Sequence, residues 1–124
     1  MALLNQHFAP SAFSFTLIEN IQVVDPDLAT CGFSDRDQHA RIGSAYREGD
    51  ITTLNVFFCD IPEEGRAGLA YYPYEVPLNM DTDAVYIDPE FFGIGQPTLS
   101  HETGHWFGLQ VSLGVCRRVS QVQE

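Results

Sequence analysis

Apolar and polar positions along this chain switch between two periods, and the switches predict a mixed fold. Leu3, Leu4, His7 and Phe8 fall at helical spacing, so residues 2–8 read as the end of a helix that Ala9-Pro10-Ser11 breaks. Phe13, Phe15 and Leu17 then alternate with Ser14 and Thr16, the period of a half-buried strand, running on irregularly to Val24. Asp25-Pro26-Asp27 ends it. Ser34, followed by Asp35 and Asp37, supplies a capping hydroxyl and dipole-matched acids for a second helix reaching about Arg47. Leu54–Phe58 is apolar on both faces except at Asn55, which predicts a central strand. Pro62–Gly65 reads as a turn, Gly68–Tyr72 and Asp83–Ile87 as further strands, and Pro89–Gly95 as a loop. Pro97 sits at the first turn of a last helix that runs through Phe107 and stops at Gly108. Strands interleaved with helices predict an α/β or α+β sheet protein.

Composition narrows the function. At 124 residues, 44 % hydrophobic, with nine Phe and five Tyr, the chain has the make-up of one globular domain. Its net charge is −11 and all six basic residues are arginine. Such a surface is repelled by phosphate backbones and anionic lipid, so neither nucleic acid nor membrane is an expected partner. No run of 18 apolar residues is present, and the first eight residues lack the basic and apolar regions of a signal peptide. Three cysteines, Cys31, Cys59 and Cys116, leave at least one without a partner inside the chain. Cys31 and Cys59 read as buried or partnerless rather than as metal ligands, and His39 reads as a surface residue of the second helix. Asp81, Asp83 and Asp88 lack calcium-loop spacing, and turn chemistry explains them.

The chemistry lies in His101-Glu102-Thr103-Gly104-His105. Histidines four apart on a helix share one face, so His101 and His105 can converge on one metal ion. Glu102 points about 100° away from His101, out of line for the same ion but within reach of a water beside it. That pattern suits hydrolysis: zinc brings the pKa of such a water down to about 7, and the carboxylate takes its proton and later releases it to the leaving amine. Leu99 and Phe107 give the helix an apolar face that is expected to be left partly uncovered. Gly108 stands where the longer pattern His-Glu-x-x-His-x-x-Gly-x-x-His has its glycine, which lets the chain leave the helix with positive φ. The third histidine of that pattern is missing: the position is Val111, and no histidine follows His105. Gln110 is a poor zinc donor, and Glu124, the last residue, has no helix to hold it.

Thr98 to Leu109, including Trp106 after the second histidine, resembles the active-site helix of the pappalysin family of metzincin zinc peptidases. Phe13–Leu17, Gly49–Phe58, Gly68–Tyr74 and Asp83–Ile87 resemble that family's successive strands, so the likeness covers residues 1–109. It implies a metzincin-like upper subdomain: a mixed twisted sheet, a backing helix and an active-site helix. It also implies His101 and His105 as zinc ligands, Glu102 as general base, a protein or peptide substrate, a propeptide and secretion. Residues 110–124 diverge from the family and are expected to be a foreign tail, read from an intron or a shifted frame, on a truncated catalytic domain. Two functional readings follow: a zinc metalloendopeptidase, or a peptidase-like chain that binds metal weakly and does not cut. A small acidic interaction domain with a chance motif is a third, which the upstream likeness argues against.

Overall fold

The computed structural model describes residues 2–93 and 95–109. Helix α1 (Ala2–Phe8) leads, followed by α2 (Arg36–Tyr46), strands β1 (Val56–Phe58), β2 (Gly68–Ala70) and β3 (Val85–Ile87), and helix α3 (Thr98–Trp106). Single 3-10 turns at Pro26–Leu28, Pro73–Glu75, Met80–Thr82 and Pro89–Phe91 punctuate the connections. The sheet has the order β1-β3-β2, with β1 parallel and β2 antiparallel to β3. This is the mixed α+β architecture expected of a metzincin-like upper subdomain.

The central strand is β3, not β1 as the apolar run at 54–58 predicts. All of Val85, Tyr86 and Ile87 are buried, whereas Phe58 at the end of β1 is 48 % exposed. Alternation along β3 divides the core. Tyr86 faces α2, packing with Ile42, Ile61, Leu69, Tyr71 and the cysteines. Val85 and Ile87 face the other side, with Leu4, Leu99 and Trp106 from α1 and α3. On the α2 side, a Cβ on Gly43 would lie 1.6 Å from the Asp81 carbonyl oxygen, so only glycine allows this backbone contact.

Two cross-links fix the layers. Cys31 and Cys59 form a disulfide, beside a bridge that pairs Thr30 with Asp60. Arg47 ends α2 and donates to Asp83 at 2.6 Å, with side chains only 6 % and 3 % exposed. The same guanidinium donates to the carbonyls of Asp83, Gly49 and Asp50. The second Asp83 oxygen accepts from the Trp106 indole at 2.9 Å. Asp88, also buried, accepts from the amides of Ile61 and Glu90. Both aspartates are thus used in turns and packing.

Other expectations are corrected. Phe13–Leu17 forms no strand. The Asn5 side chain instead takes both backbone groups of Phe15, at 2.6 and 2.8 Å, as a neighbouring strand would. The second helix is capped by Asp35, whose carboxylate accepts from the Gln38 amide, rather than by Ser34. His39 is fully buried, not superficial. Its Nδ1 lies 2.6 Å from the Tyr71 hydroxyl and its ring 4.6 Å from that of Tyr86. Periodicity on α2 could not reveal this, because the pocket is made by aromatic residues more than thirty positions away. Gln110, Val111, Cys116 and Glu124 lie outside the described residues.

Two outcomes test this packing. Arg47→Met should cost about 3–5 kcal/mol in urea unfolding, since it leaves the Asp83 carboxylate buried without its counter-charge. Burial pulls the His39 pKa below its ordinary 6.5, against smaller raising effects of the Gly32 backbone and Asp35. Its neutral form therefore supports the fold fully above about pH 6.5, and that support drains away as pH falls towards the lowered folded value. The urea midpoint should drop between pH 7.5 and 5.5, with His101 adding in the same direction because its pKa is lowered too. The raised pKa of Glu102 works the other way, so the drop should shrink in His39→Gln, and a drop of unchanged size there refutes a neutral buried His39.

Candidate active site

Helix α3 begins where Pro97 fixes the backbone, and the His101 amide closes the first turn on the Pro97 carbonyl at 2.9 Å. It ends in a Schellman turn. Gly108 has φ +97°, its amide bonds the His105 carbonyl, and the Leu109 amide reaches the Gly104 carbonyl at 2.9 Å. Gly108 thus behaves as the motif implies. The turn folds the chain back, so that the Leu109 carbonyl accepts from His105 Nδ1 at 2.6 Å.

His101, Glu102 and His105 come together, their candidate ligand atoms all within 4.8 Å of one another. The two Nε2 atoms are 3.1 Å apart, with the rings nearly perpendicular at 87°. His101 is exposed and His105 half-buried. Burial, then the charge of His105, lowers the His101 pKa. Glu102 is buried, and desolvation raises its pKa against a smaller opposing pull from His105. Its stem lies on β2, where a Cβ at Gly68 would stand 3.1 Å from Glu102 Cγ. A cleft of about 280 Å³ opens between residues 65–68 and the start of α3, with His101 and Glu102 in its wall. A larger groove of about 530 Å³, between Asp25–Leu28 and α2, contains no histidine and is remote from this chemistry.

The apolar face of α3 is better covered than expected. Leu99 is buried, and half-buried Phe107 packs against Phe8, Phe13 and Phe15. Sequence reasoning missed three contributors. Asp83 holds Trp106 in place, Gly68 makes room for Glu102, and the Tyr72 hydroxyl approaches His105 Nδ1 at 3.3 Å. Gly68 beginning a predicted strand was the one local signal, since glycine there marks a close approach.

This chain is 32 % identical over 118 residues to an extracellular metalloprotease of Arthroderma gypseum, and 29 % over 119 residues to one of Colletotrichum graminicola. Each alignment takes in 88 % of this chain, and 39 % and 40 % of those relatives. Mouse pappalysin-1 is 31 % identical over 110 residues, 80 % of this chain and 7 % of that protein. The chain belongs to the pappalysin-type metallopeptidase family. It spans about two fifths of the fungal relatives' length. No protein-family model matches it, and no solved structure matches significantly. Among pappalysin-type relatives the printed names imply a metal, and the clustered His101, Glu102 and His105 are a donor set able to meet one.

Crowding at Gly68 gives a direct check on this packing. Gly68→Ala should destabilise the chain by about 1–3 kcal/mol, because the new methyl also meets the Tyr86 carbonyl and the Ile87 side chain. By pushing Glu102 towards water it should also lower that carboxyl's pKa, followed by carbon NMR. A raised pKa that stays in place shows that Glu102 is not wedged against β2.

Proposed function

We propose that this chain is a zinc-dependent metalloendopeptidase of the pappalysin type, in which His101 and His105 hold the ion and Glu102 moves the proton. The 3.1 Å approach of the two Nε2 atoms supports this most directly. Two zinc–nitrogen bonds of about 2.0–2.1 Å, meeting at a tetrahedral angle, separate their nitrogens by about 3.3 Å. The rings suit the ion with little rearrangement. The lowered pKa keeps His101 neutral and able to ligate near pH 7. Zinc bound there supplies Lewis acidity, acidifying a water and polarising a carbonyl.

Glu102 does the rest of the chemistry. Its carboxylate receives a proton from the attacking water and passes it to the amine nitrogen as the peptide C–N bond breaks. Desolvation raises its pKa towards the range in which a carboxyl both takes and gives a proton. Among the described residues β2 has a strand neighbour only on its β3 side, and its first residue, Gly68, lies against Glu102. An extended peptide substrate can pair there through its backbone. The extracellular relatives and the Cys31–Cys59 disulfide favour secretion.

Val111 at the third-ligand position favours a second reading, in which the chain binds zinc weakly and does not cut. Zinc content and cleavage of a denatured protein substrate separate the two. In the first reading the full chain binds zinc and cleaves, His101→Ala loses both, and Glu102→Gln keeps zinc but loses at least a hundredfold in rate. Zinc binding that needs His101 without any cleavage establishes the second. Zinc binding unaffected by His101→Ala removes both.

A further inference from the structure

The second nitrogen of His105 is gripped from two directions. The Leu109 carbonyl, which can only accept, stands 2.6 Å from Nδ1, so Nδ1 carries the hydrogen and Nε2 the lone pair. On the other side the Tyr72 hydroxyl stands 3.3 Å away, with the two rings edge to face at 5.3 Å. A single acceptor leaves an imidazole free to swing about it. Two acceptors around one N–H restrict that swing.

Tyr72 is itself well fixed. It follows β2 and precedes the turn at Pro73–Glu75. Its amide donates to Glu75 Oε2 at 2.8 Å, and its ring stacks flat on Tyr74 at 5.3 Å and 7°. The other Glu75 oxygen meets Arg36 of α2 at 3.3 Å, though Arg36 is too exposed for that contact to add much. On the opposite side, Gly108 sits 3.7 Å from Pro73, measured from an added Cβ, so the Schellman turn lies against the residue next to Tyr72.

We infer that Tyr72 is a positioning residue, whose hydroxyl shares the Nδ1 hydrogen of His105 with the Leu109 carbonyl and thereby aims His105 Nε2 at His101. The inference rests on the zinc reading above. It adds that ligand geometry is set from the end of β2 as well as from the helix. Groups that orient a ligating histidine are worth about 10–100-fold in metal affinity.

The test measures zinc affinity of the full chain by competition with a coloured chelator, beside the thermal midpoint of the zinc-free protein. Tyr72→Phe keeps the ring and its stacking and removes only the hydroxyl. It should weaken zinc binding about tenfold or more, leave the zinc-free midpoint unchanged, and alter the visible spectrum of the cobalt(II)-loaded chain. Parent-like affinity in Tyr72→Phe, with affinity lost in His105→Ala, overturns this inference and leaves the zinc reading standing. Weakened binding that comes with an equally lowered zinc-free midpoint also overturns it, because the hydroxyl then serves the fold. Parent-like affinity in His105→Ala removes the zinc reading, and this inference falls with it.

Discussion

A carboxylate with almost no access to water holds this structure in register. Asp83 meets Arg47 from the end of α2 with one oxygen and Trp106 from the end of α3 with the other. An ion buried so deeply is costly unless every lone pair is used. Here that requirement dictates where two helices end relative to β3, which begins two residues after Asp83. Such an arrangement need not make the chain more stable than an apolar packing would. It makes alternative packings expensive, because any sliding of α3 along the sheet strands a charge.

The position of α3 in turn decides the chemistry. Trp106 is the neighbour of His105, about 100° round the helix, so the contact that holds Trp106 also fixes the direction of His105. Glu102 is trapped between that helix and Gly68, where loss of water raises its pKa. His101 remains at the surface, at the wall of the cleft. One helix thus presents a buried carboxyl beside one exposed and one half-buried imidazole.

Much of this was legible because it is local. The spacing of His101 and His105, the stop at Gly108, the strand within 83–87 and the helix ending near Arg47 all depend on neighbours within a turn or two. The readings that failed depend on distant partners. His39 sits on the outward-looking part of α2's sequence pattern, yet Tyr71 and Tyr86 close over it. Phe13–Leu17 has strand alternation, but its Phe15 backbone is satisfied by the side chain of Asn5. The centrality of β3 over β1 follows from the order of the sheet, which no window of residues contains. Cys31 and Cys59 are 28 positions apart, with no ligand-like spacing to flag their pairing.

That disulfide divides the molecule unequally. The loop it closes contains all of α2 and β1, so the Tyr86 side of the core is tied by a covalent bond as well as by packing. The opposite side, where α1 and α3 cover Val85 and Ile87, is held by contacts and the Asp83 network alone. Transient opening therefore has an easier route through α3 than through α2. By that argument the amide hydrogens of α3 are expected to exchange with solvent faster than those of α2. The side of the core that carries His101, Glu102 and His105 is the side with no covalent tie among the described residues.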